Sequence, residues 1–132
     1  MVEEQVPERD SRLRAVLIRL KDAGADASAI IRRDGVMIES DLQAGRDELD
    51  SFAAMAAAML GAAETATSEL KQGVPRRVIM EIGDRKIIEV GAGPVALLVV
   101  TMGSGVQFNR VLREIDRAAQ DIRGIVKGAP LE

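Results

Sequence analysis

The chain has 132 residues, 47% of them hydrophobic, which suits one compact domain with a single core. Its 21 acidic and 18 basic residues leave a net charge of −3 and are spread along the whole length, so no electrostatic footprint for nucleic acid is visible. With no cysteine and no histidine, disulfides, thiolate zinc sites, thiol catalysis and the usual general base near neutral pH are all excluded.

Residues 1–9 are polar and charged and read as a disordered lead-in, leaving a domain over residues 10–127 and a tail at 128–132. Asp10 or Ser11 is the expected cap of a first helix, in which Leu13, Val16, Leu17 and Leu20 recur at helical spacing until Gly24 stops it. Ala27–Arg33 then leads into Asp34-Gly35, the dipeptide that best tolerates the backbone angles of a two-residue turn, and on into Val36–Leu42. That pattern predicts a β-hairpin.

From Asp47, the expected cap, to Leu70 the spacing predicts a long helix with Leu49, Phe52, Ala53, Ala56, Leu60 and Ala63 on one apolar face. Its middle, Phe52 to Ala63, carries no charge on any side for about three turns, whereas a surface helix of a monomer keeps one polar face. Met55 and Met59, four apart among small residues, suit close approach to an irregular partner surface. Either a second subunit or the rest of the monomer must cover that stretch, and the composition favours the subunit.

Gly73 and Pro75 break the helix, Arg77–Ile82 alternates as a third strand, Gly83-Asp84 turns the chain, and Lys86–Val90 makes a fourth strand. After the Gly91–Pro94 turn, Val95–Met102 is apolar at nearly every position, the mark of a central strand covered on both faces. A final helix starts near Gln107, with Phe108, Val111, Leu112, Ile115, Ala119, Ile122 and Val126 on one stripe. The longest apolar run, Pro94–Val100, is far short of a membrane span, so a soluble, cytoplasmic protein without membrane insertion is expected.

Signs of chemistry are weak. Gly103-Ser-Gly105 lies between a buried strand and a helix, where backbone N–H groups can hold an anion, but Phe108 stands where a dinucleotide fingerprint needs glycine. Gly91-Ala-Gly93 reads as an ordinary hairpin turn. Glu39 and Asp41 share one face of a strand, as a carboxylate pair would, but with no nucleophile beside them they read as solvated charges. No catalytic, cofactor or metal residue is assigned.

The order of elements, the Arg32–Ile38 hairpin, the Ala/Leu-rich second helix and the Gly83–Val90 strand together resemble the Roadblock/dynein light chain family, particularly its prokaryotic members, over about residues 9–126. The resemblance implies an α/β sandwich of order α-β-β-α-β-β-β-α. Its five-stranded antiparallel sheet would have the long helix on one face and the first and last helices on the other. It further implies a homodimer joined through the third strand and second helix. Arg77, Val78, Ile79, Met80, Glu81 and Ile82 would then lie at the strand junction, and Phe52, Met55, Ala56, Met59 and Ala63 at or near the helix junction. On that basis Ala56→Glu is expected to part the dimer.

The partner it implies is a small Ras-like GTPase, whose nucleotide cycle a non-catalytic regulator or scaffold alters by ordering the GTPase's own elements. An arginine finger from Arg32, Arg33, Arg46, Arg76 or Arg77 is conceivable but is given no position by the resemblance. The competing readings are a small-ligand-sensing signalling domain, which needs an enclosed pocket, and an enzyme with an unrecognised site.

Overall fold

The structure, a computed structural model, describes residues 2–127, with side chains from residue 7 onward. The expected tail at 128–132 lies outside the described residues. The elements are α1 (Val2–Asp22), β1 (Ala27–Arg32), β2 (Met37–Ser40), α2 (Arg46–Glu69), β3 (Val78–Ile82), β4 (Arg85–Ala92), β5 (Ala96–Met102) and α3 (Phe108–Lys127).

Residues 2–9, expected as a disordered lead-in, instead belong to α1. The glutamates that suggested disorder are also good helix formers, and acidic residues suit the positive end of the helix dipole. Leu13, Val16, Leu17 and Leu20 are buried as their spacing requires. Gly24 adopts φ 121°, and the Ala25 N–H returns to the Leu20 carbonyl, closing α1 as a Schellman turn.

The hairpin forms, but with a three-residue loop: the Arg32 N–H donates to the Val36 carbonyl, and the Gly35 N–H donates to the Arg32 carbonyl. Gly35, at φ 96°, takes the left-handed position after the turn, and the register shifts between Ile30 and Ile31. Asp-Gly therefore signals the turn correctly while leaving its length to the strands.

Helix α2 begins two residues earlier than Asp47 suggests. Gly45 is the N-cap, and the Glu48 carboxylate accepts its N–H at 3.1 Å. At the far end the Gln72 N–H reaches the Thr67 carbonyl while Lys71 sits at φ 56°. A left-handed lysine is strained where glycine is not, so Lys71→Gly is expected to stabilise the fold by about 1 kcal/mol, read as a higher urea midpoint at unchanged slope. A lower midpoint would show that this helix end does not hold the left-handed turn.

The sheet is antiparallel throughout, in the order β2-β1-β5-β4-β3, with the apolar β5 central as its sequence predicts. Alternate residues of the inner strands point to opposite faces, which builds two cores. On one side Ile30, Ile88, Leu98 and Val100 meet Leu13, Val16, Leu17 and Leu20 of α1 and Val111, Ile115 and Ile122 of α3. On the other, Ala29, Ile31, Leu97 and Val99 meet Ala53, Ala56, Ala57 and Leu60 of α2, with Phe52, Val78 and Ile87 at the margin. The implied layering of one helix against two is the one observed.

Candidate functional site

Three of the four α2 residues that meet the sheet are alanines, which lets the helix lie close to the strands. The same compositional run puts alanine and methionine on the outside. Ala54, Ala58 and Ala62 are exposed, Met55 is 58% exposed and Met59 40%. Within one subunit this outer strip is uncovered, although it has the composition of an interior.

The strand edges differ in how they meet solvent. β2 is short, lies beside a register shift, and has Glu39 held by Arg14 at 3.0 Å, all features that blunt an edge. β3 is hydrogen-bonded to β4 alone, contains no proline and one charge, Glu81, and exposes Ile79 at 41% and Ile82 at 54%. It is the edge better suited to pairing with another strand. Val78 packs against the core beneath α2, which ties the start of this edge to the helix layer.

Of the residues expected at a helix junction, Met55 and Met59 lie on the free outer strip. Phe52 and Ala63 are half-buried, Phe52 against the α2 core. Ala56 does not lie on the free face: it is 2% exposed and faces Leu97 and Val99 within its own subunit. The helical period explains the difference, since positions 53, 56, 57 and 60 form the inward stripe and 55 and 59 the outward one.

The strand expected from Arg77 starts at Val78, and the Arg77 guanidinium instead reaches both Asp116 oxygens of α3 at 3.1 Å. Val78, Ile79, Met80, Glu81 and Ile82 do form β3. Among the other arginines considered, Arg32 pairs with Asp34, while Arg33 bonds Glu64 at 2.8 Å and the Gly93 carbonyl at 2.9 Å.

Glu39 and Asp41 are engaged separately, Glu39 by Arg14 and Asp41 by the Ser28 N–H at 2.6 Å, so they do not act as a pair. Gly93 turns at φ 84° beneath the Arg123 side chain. Gly103–Gly105 forms the loop before α3, with Arg85 and Asp26 packed against Gly103. Among the described residues no group of three acids is placed to hold a metal ion.

Sequence reading missed Glu89. It stands on β4 opposite Val78 and Val99, beneath α2, wholly buried, with neither carboxylate oxygen hydrogen-bonded. Burial raises its pKa to about 7. The signal in the sequence was an acid inside the apolar run Ile87-Ile88-Glu89-Val90, but simple alternation made it look outward-facing.

Fold and surface together define an α/β module whose free features are a small-residue helix strip and an open strand edge. The chain belongs to the Roadblock/LC7 family: that domain matches residues 14–102. Members of the family are typically non-catalytic regulators or adaptors. The uncharacterized protein MJ1340 of Methanocaldococcus jannaschii is 32% identical over 111 residues, spanning 83% of this chain and 96% of that one. The fold is similar to that of the gliding protein MglB from Thermus thermophilus, with TM-score 0.80 and 21% identity over 92% of this chain and 93% of the other. It is also similar to MglB with a tetrameric arrangement, with TM-score 0.82 and 21% identity over the same shares of the two chains. Among the described residues no helix is long and apolar enough to cross a membrane.

Proposed function

We propose that the chain works as a homodimer that binds a small Ras-like GTPase and modulates its nucleotide cycle, as regulator or scaffold and without catalytic residues of its own. The observation that carries this reading is the uncharged outer strip of α2, with Met55 and Met59 at its centre, on a subunit whose β3 edge is open. Pairing two β3 strands about a two-fold axis would extend one sheet across both subunits and bring the two α2 helices to the same side. MglB, similar in fold, is known in a tetrameric arrangement, which supports self-association of a chain with this fold.

Such a platform needs no nucleophile or cofactor. A rigid surface that binds one switch conformation of a GTPase better than the other shifts its cycle by that difference in affinity. Arg32, Arg33 and Arg77 are already held by carboxylates of their own chain, which argues against their serving as fingers. A cytoplasmic setting belongs to this reading, since the proposed partner works in the nucleotide-rich interior; a chain without cysteine is compatible with it.

The test is capture of GTPases encoded in the same genome by the immobilised chain, loaded in turn with a GTP analogue and with GDP. At least one is expected to bind with about a tenfold or greater preference for one state. Failure of every such GTPase in both states overturns the proposal.

A further inference from the structure

Although the chain is acidic overall, its charge is divided between the two sides of the sheet. The first turns of α2 and its end carry Asp47, Glu48, Asp50 and Glu69, with Arg46 as the one cation of the helix. On the opposite side, α1 and α3 run side by side, tied by Arg19 to Asp121 at 2.6 Å. Among the described residues, six cations of this two-helix layer are exposed and make no ion pair: Arg12, Lys21, Arg110, Arg113, Arg123 and Lys127. Of the acids of the same layer, Asp10 is held by Arg9, Asp121 by Arg19, Glu114 by Arg117 and Asp116 by Arg77. Asp22 lies at the Arg110 end of the cleft between the helices, and Glu3, Glu4 and Glu8 at the start of α1.

This surface lacks what a folded protein partner needs. Among the described residues, its exposed large apolar side chain is Ile18, 55% exposed, and the one ring of the two helices, Phe108, is half-buried against the core. Attraction would come from charge spread along two helices, α1 alone being about 30 Å long. A broad, diffuse negative potential is the complement of such a face, and a bilayer containing anionic lipid supplies one. A nucleic acid offers charge too, but as a narrow rod, and the chain has no Trp or Tyr with which to stack bases.

We propose that the α1/α3 face docks, without inserting, on an anionic lipid surface through these cations, leaving the α2 side turned toward the aqueous phase. The assignment does not require dimerisation. A two-fold pairing through β3 would place two such faces on the same side of the joint sheet and strengthen the docking by avidity.

The experiment is cosedimentation of the full chain with phosphatidylcholine vesicles and with vesicles holding about a third phosphatidylglycerol, at low and high salt. At low salt, partitioning is expected to be about tenfold or more stronger on the anionic vesicles, and to fall as salt screens the surface. Lys21→Glu with Arg110→Glu and Arg113→Glu, three exposed positions on the two helices, is expected to lower partitioning about a hundredfold with the circular dichroism unchanged. As a control, Asp47→Asn on the α2 side is expected to leave it unaltered. Equal partitioning on both vesicle types, no binding to either, or an equal loss from the α2-side change would overturn the proposal. So would tighter binding to duplex DNA than to the anionic vesicles. GTPase capture is measured without lipid, so its failure and a failure here are separate results.

Discussion

Ala56→Glu is expected to destabilise the subunit itself by about 3–5 kcal/mol, a large share of the stability of a domain this size. Ala56 is 2% exposed, and a side chain built outward from it meets Leu97 and Val99 of the central strand. The added carboxylate finds no partner there, and its volume forces α2 away from the sheet. Met59→Glu, on the outer strip, should leave the isolated subunit within about 0.5 kcal/mol of the parent.

If two outer strips meet across a two-fold axis, Met59→Glu acts twice per dimer and weakens association by about 4 kcal/mol, roughly a thousandfold. Urea denaturation separates the first effect, and sedimentation equilibrium the second. A folded Ala56→Glu subunit with parental stability would contradict the placement of α2. A Met59→Glu dimer as tight as the parent would remove the outer strip from the interface.

The second large effect belongs to Glu89. Its folded pKa of about 7 lies above the ordinary 4.5, so the native state binds its proton more tightly than the unfolded chain does. The associated stability is fully present below pH 4.5, declines as pH rises through 7, and is gone above it. The loss amounts to about 3 kcal/mol over that window.

Glu89→Gln keeps the shape and cannot ionise, so it should flatten this part of the pH profile and leave the variant more stable than the parent by a similar amount at pH 8. Denaturant midpoints measured from pH 4 to 9 decide the matter. Parallel profiles for parent and variant would show that Glu89 is solvated or paired in solution. The location gives the effect interest beyond stability: the carboxylate lies under α2, the layer held to the sheet chiefly by alanines, and next to edge strand β3.

Much of the architecture was legible in the residues. The nearly continuous apolar run at Val95–Met102 placed β5 at the centre of the sheet, because a strand covered on both faces has no use for alternation. Gly24 marked the end of α1, and the stripe from Phe108 to Val126 gave α3 its buried face. Lead-in and helix were confused at residues 2–9 because glutamate-rich segments serve either role. What decides between them is whether the following turns are anchored, as α1 is by Leu13 and Leu17.

The candidate surface was only half legible. An uncharged helix can be seen in a sequence, but which of its residues look inward depends on where the sheet lies, and that placement exchanged Ala56 for the strip around Met55 and Met59. The same holds for charge. The order of residues determined that the chain has few means of covalent catalysis, that the middle of its second helix is uncharged all round, and that acids and bases nearly balance. Only the packing of the layers decided that unpaired cations gather on the α1/α3 side, that Arg77 is held by Asp116 rather than set in the edge strand, and that Glu89 is shut beneath α2 without a partner. Local pattern reports a residue's own preference for water or oil; whether that preference is met depends on groups brought together from distant positions in the chain, and those contacts exist only once the sheet has closed.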